Sequence, residues 1–117
     1  GSFTLSWEYT FGPEDGDCVF FAMAVPYTYS MLQSSLAAIM RDATAKSWCR
    51  SKRLCATPGG VKCDLLEISN WAVSKRQKKS VVVSSRVHPG ESNASWLVHG
   101  LIGFLLSPSP EAQVLRD

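Results

Sequence analysis

The chain has 117 residues, 45% hydrophobic and 19% charged, with a formal net charge of +2. Those values describe one small folded unit rather than a disordered polyelectrolyte, and the charge is too slight to demand a polyanionic partner. No stretch reaches the roughly 18–20 apolar residues of a membrane span; the richest run, residues 96–106, is interrupted by His99, Gly100 and Gly103.

Gly1-Ser2 reads as a cloning remnant, which leaves 3–117 as the domain, and no signal peptide is visible. Residues 3–11 alternate aromatic or aliphatic with polar side chains, the period of a strand with one buried aromatic face. Residues 12–17 form a turn by composition, and residues 18–25 are an almost unbroken apolar run. Together they predict a hairpin whose second strand is covered on both faces. Trp7, Tyr9, Phe11, Phe20 and Phe21 are assigned to the core.

Ser30-x-x-Gln33 fits a capping box opening a helix that ends near residues 41–44, with Leu32, Leu36, Ile39 and Met40 on one face. Residues 51–57 and 62–69 flank Pro58-Gly59-Gly60 and predict a second hairpin. A polar, basic loop over 74–79 precedes a strand over 80–87, whose Val81-Val82-Val83 is typical of a central position. The loop His88-Pro89-Gly90-Glu91 leads into a helix over 93–106, with Ala94, Leu97, Val98, Leu101, Ile102 and Leu105 as its buried stripe. Ser109-Pro110-Glu111 opens another helix. A helix this short is unstable alone, so the natural sequence is expected to continue beyond Asp117. The fold class is α/β, a mixed β-sheet with packed helices, and the core looks sufficient without disulfides. Cys18, Cys49, Cys55 and Cys63 are therefore expected as reduced thiols in a cytoplasmic protein.

A catalytic zinc site needs fixed ligands and one open position for water. His88 and Glu91, where a strand gives way to a loop, can converge on one metal; strand ends in α/β sheets are where ligands usually bind. Pro89 stiffens this loop and Gly90 lets it turn. The bare pattern also fits a solvated turn.

Context adds to it. Asp15-Gly16-Asp17-Cys18-Val19-Phe20-Phe21-Ala22, Val25-Pro26-Tyr27-Thr28-Tyr29-Ser30, Arg53-Leu54-Cys55 and Arg86-Val87-His88-Pro89-Gly90-Glu91-Ser92-Asn93-Ala94-Ser95-Trp96 resemble, in order, blocks of the cytosolic branch of the zinc metallocarboxypeptidases. The resemblance covers essentially the whole chain and implies the N-terminal part of a zinc-carboxypeptidase-like fold. It implies His88 and Glu91 as two of three protein ligands to one zinc ion, and acidic C-terminal tails, such as the glutamates of tubulin, as substrate. It also implies that the third ligand, the general-base glutamate and the groups that hold the substrate carboxylate lie outside this chain. No catalytic residue is then assigned here, substrate-binding residues stay unassigned, and the chain alone is expected to be inactive. Arg86 is expected to act structurally or electrostatically. His99 is expected to face outward.

Other readings are weighed against this one. Cys49, Cys55 and Cys63 lack the paired spacing of structural zinc modules. Lys46, Arg50, Lys52 and Arg53, with Lys75, Arg76, Lys78 and Lys79, form two basic clusters. With Trp48 and Trp71 nearby they sketch a nucleic-acid surface, although solvated loops or an acidic tail explain them more simply. Asn93-Ala94-Ser95 matches a glycosylation acceptor that would be inert in the cytoplasm. The alternative function is a non-catalytic binding or scaffold module that kept the fold. Self-association through an exposed apolar face is a further expectation.

Overall fold

A computed structural model describes residues 1–117. The chain runs α1 (Tyr29–Arg41), α2 (Ala43–Trp48), β1 (Cys49–Ala56), β2 (Lys62–Ile68), a single 3-10 turn (Lys75–Gln77), α3 (Ser92–Leu105) and α4 (Pro110–Arg116). The α/β class stands, with β1 and β2 as one antiparallel ladder.

The cap of α1 is Thr28 and not Ser30: its hydroxyl accepts the Met31 N–H at 3.1 Å. Gln33 is drawn away from the helix end because its amide donates instead to the Asp64 carboxylate on β2, at 2.7 Å. A charged acceptor makes the stronger bond, and Asp64, its side chain only 5% exposed, is also paired with Lys62. Asp42 then serves two helices. Its backbone N–H closes α1 on Ala38, and its carboxylate accepts the Ala45 N–H at 2.9 Å to open α2, a helix the sequence reading did not anticipate.

The hairpin lies where the Pro58-Gly59-Gly60 turn placed it, with β1 beginning at Cys49. Thr57 N–H donates to the Val61 carbonyl at 2.8 Å, and Gly60 takes φ +78°, a left-handed conformation open to glycine and strained for most other residues. A register shift between Arg53 and Cys55 marks a bulge, after which Cys55 faces Cys63. All four cysteines are free, and burial pushes the Cys49 thiol up. An isolated hairpin is marginal in water. Here α2 leads directly into β1, while Leu36 on α1 and Cys49 on β1 are both buried.

At the other end, Ser109 caps α4 by accepting the Ala112 N–H at 3.2 Å, with Pro110 at the first turn. Arg116, 3% exposed, reaches back from α4 to the carbonyls of Leu105 and Ser107 and lies over the Trp48 ring at 4.8 Å. Its own carbonyl accepts from Asn70 N–H at 2.8 Å and from the Lys78 ammonium at 2.6 Å. One residue thus joins α2, α3, α4 and the loop after β2.

Three expected strands do not form. Residues 3–11, 18–25 and 80–87 are without ladder partners. Alternation and β-branching say which side chains suit a sheet, but a strand exists only when a neighbour supplies its hydrogen bonds. The aromatic residues assigned to the core are consequently outside it: Phe3 is 101% and Phe20 88% exposed, and Val82 is 91% exposed. On α3 the expected stripe is half-buried, except Leu97, which is exposed. Only six residues are buried, so the expected self-sufficient core is absent. The radius of gyration, 18.9 Å, says the same, since a closed domain of this length has about 13 Å.

The turn at residues 12–15 does form. Asp15 N–H donates to the Gly12 carbonyl, the Asp15 carboxylate accepts Gly12 N–H at 2.8 Å and the Tyr9 hydroxyl, and Phe21 sits edge-on to Tyr9 at 5.3 Å. The Tyr9 hydroxyl, then Gly12 N–H, holds the Asp15 carboxyl below its usual range; the same bond raises the Tyr9 hydroxyl. A depressed carboxyl stabilises above its unfolded pKa and is lost as pH falls through its folded one. A raised phenol stabilises below its unfolded pKa and is lost as pH rises through its folded one. The Tyr9–Phe21 contact is therefore expected to persist across neutral pH and loosen in strong acid and above about pH 10. Nuclear Overhauser contacts followed against pH would show it, and a flat profile would contradict it.

Candidate metal centre

Residues 80–85 lead, without regular secondary structure, to Arg86, whose φ of +61° precedes His88-Pro89-Gly90-Glu91. Glu91 N–H donates to the His88 carbonyl at 3.2 Å and Ser92 N–H to the Gly90 carbonyl at 3.2 Å, so one tight turn carries both candidate ligands. Glu91 is the N-cap of α3, and the Ala94 N–H bonds its carbonyl at 3.1 Å, but its carboxylate makes no capping bond. His88 and Glu91 are exposed. An imidazole and a carboxylate free of the helix they introduce are a donor set that zinc accepts. They fit as two ligands and not as a complete site: no group of three or more His, Cys, Asp or Glu gathers anywhere in the chain.

The turn is held from behind by Arg86. One terminal nitrogen donates to the Tyr27 carbonyl at 3.0 Å and to the Ser95 hydroxyl at 3.1 Å; the other donates to the Pro89 carbonyl at 2.6 Å. Its Nε is buried without a partner. Tyr27, itself buried, packs edge-on to Trp96 at 4.9 Å, and its hydroxyl shares a hydrogen bond of 2.9 Å with His99 Nδ1. Trp96 donates in turn to the Val25 carbonyl at 3.3 Å. The segment before α1 is thereby fixed to α3 beside the turn.

His99 is exposed, as expected, yet its ring is engaged by Tyr27 rather than idle. Tyr27 thus helps to brace the turn, a part that its sequence neighbourhood does not signal. No local signal could have found a pair 72 residues apart. A shallow apolar groove lies alongside, lined by Ala24, Val25, Ser92, Asn93, Trp96, Leu97 and Gly100, and neither candidate ligand borders it. Ser95 of the acceptor-like Asn93-Ala94-Ser95 is occupied by Arg86.

Several of the clustered basic side chains have internal partners. Lys52 pairs with Glu67 at 2.8 Å, and its hydrogen bond, more than any other cause, holds the Glu67 carboxyl below its usual range. Arg50 stacks on Trp71 at 3.8 Å. Lys78 holds the end of α4.

No family profile matches the chain, and no solved structure does. Curated proteins do. Cytosolic carboxypeptidase 2 of Xenopus tropicalis is 41% identical over 118 residues, covering 98% of this chain and 12% of that protein. Cytosolic carboxypeptidase 2 of Mus musculus is 42% identical over the same share of this chain and 14% of its own length. Cytosolic carboxypeptidase 1 of Danio rerio is 40% identical, again over 98% of this chain and 11% of the relative. The chain thus spans between a tenth and a sixth of the length of the relatives it matches. No helix is long and apolar enough to cross a membrane. With such identity sustained from one end of the sequence to the other, this chain belongs to the cytosolic carboxypeptidase family.

Proposed function

We propose that His88 and Glu91 are two ligands of a zinc ion in a cytoplasmic carboxypeptidase that removes C-terminal residues, glutamate foremost, from acidic protein tails such as those of tubulin. The observation that carries this reading is the turn closed by Glu91 N–H on the His88 carbonyl, which puts a histidine and a glutamate with an uncapped carboxylate on one turn at the start of α3. When bound, the ion supplies Lewis acidity toward a scissile carbonyl and a water of lowered pKa. His88 contributes a neutral imidazole nitrogen. Glu91 contributes a negative charge that lowers the net charge of the site. The family names of the relatives support the peptidase class; the tail substrate follows from the resemblance.

A titration of the purified chain with zinc, or with cobalt for its visible spectrum, tests the ligand assignment. Two protein donors hold a metal weakly, since three protein ligands are usual in catalytic sites. Weak binding is expected in the native chain, and its loss in both His88→Ala and Glu91→Ala. Binding that survives both substitutions sinks the assignment. Peptides ending in glutamate are expected to remain uncleaved by the chain alone, because the groups proposed to act as base and carboxylate clamp are not among its residues. Turnover by the pure protein would overturn that division of labour.

A further inference from the structure

We infer that Arg86 is a positioning residue for the metal-binding turn, acting through the fork of its guanidinium rather than through its charge. The inference deepens the proposed function and rests on it for the word metal. Arg86 adopts φ +61°, where a residue with a Cβ is strained and glycine is favoured. A side chain kept in such a position is there for what it reaches. It reaches three separate segments: the Tyr27 carbonyl before α1, the Ser95 hydroxyl in the first turns of α3, and the Pro89 carbonyl inside the turn itself.

The last contact matters most. Proline has no N–H, so the Pro89 carbonyl is the only backbone polar group that residue offers. Its bond of 2.6 Å to a charged donor fixes the peptide plane between His88 and Glu91. The other terminal nitrogen anchors that fork to Tyr27 and Ser95, so the turn is referenced to two braced elements instead of to solvent. The bonds of the side chain are all made by its two terminal nitrogens. A lysine would carry the charge but has a single nitrogen and no planar fork.

The test compares Arg86→Lys, which keeps the charge, with Arg86→Gly, which removes the side chain and relieves the backbone strain. The first measurement is amide hydrogen exchange at Glu91, Ser92 and Ala94, whose N–H groups close the turn, with amides of β1 and β2 as internal reference. The second is zinc affinity by competition with a chromophoric chelator. Both variants are expected to exchange about tenfold faster or more at the three amides, with the hairpin unchanged. Zinc affinity is expected to fall by about 10–100-fold, as for other residues that orient ligands. Wild-type behaviour in Arg86→Lys would show that charge suffices and overturn the fork. Unchanged exchange in both variants, or equal acceleration in the hairpin, would overturn local positioning. A native chain that binds no zinc would fail the proposed function, while the exchange measurement would still decide the role of Arg86.

Discussion

Arg116→Ala is expected to lower the stability of the chain by about 2–6 kcal/mol, because it strips two carbonyls of their donor, each costing about 1–3 kcal/mol when buried and unpaired. The carbonyls are those of Leu105 and Ser107, where α3 ends and the chain turns into α4. The same substitution removes an aliphatic stem packed at 3% exposure and a cation above the Trp48 ring. No neighbouring residue can take over, since Lys78 is already committed to the Arg116 carbonyl, to the Asn70 carbonyl and to Ser69. Arg116→Met, which keeps the stem, should recover the packing part of the loss and none of the hydrogen bonding. Urea unfolding followed by circular dichroism reads both. A midpoint for Arg116→Ala equal to the native one would mean that the junction of α2, α3 and α4 does not depend on this side chain. In a chain with only six buried residues, a loss of this size is expected to detach α4 altogether.

Where the chain supplies its own partners, the sequence was legible. The β1–β2 hairpin is set by a local turn at Thr57–Val61, α4 by Ser109 and Pro110, and α3 by a periodic apolar stripe; all three lie within two residues of their expected bounds. Reading failed wherever the decisive partner is distant. Val81-Val82-Val83 has the chemistry of a central strand, but pairing is a property of two segments, and no strand pairs with it. The alternation over residues 3–11 misled for the same reason. Ser30 is in isolation at least as good a cap as Thr28; Asp64, 31 residues from Gln33, takes the glutamine that the capping box needed. At the candidate site, the turn that joins His88 and Glu91 is local and therefore legible, while their role as ligands rests on the family resemblance. What steadies that turn is not legible, because Arg86 and Tyr27 are 59 residues apart.

The contact most exposed to that long separation is the one Tyr27 makes, and its removal is the second large effect expected. Tyr27→Ala deletes a buried ring, breaks the edge-on packing against Trp96 and frees His99 Nδ1. Loss of a large buried aromatic typically costs about 3–5 kcal/mol. A value near 3 kcal/mol is expected here, since Trp96 is itself 38% exposed and the site can relax. Tyr27→Phe separates the two contributions: it keeps the ring and forfeits only the bond to His99, at about 1 kcal/mol. The backbone carbonyl that accepts from Arg86 is present in every variant. Tyr27→Ala is nonetheless expected to weaken that bond, because the ring is what holds residues 25–29 against α3. Exchange at the turn amides should therefore rise in Tyr27→Ala and stay near native in Tyr27→Phe, with Trp96 fluorescence shifting to the red only in the former. If both variants left the turn as protected as the native chain, the Tyr27 ring would have no part in holding the carbonyl that accepts from Arg86, and so none in shaping the pair His88 and Glu91.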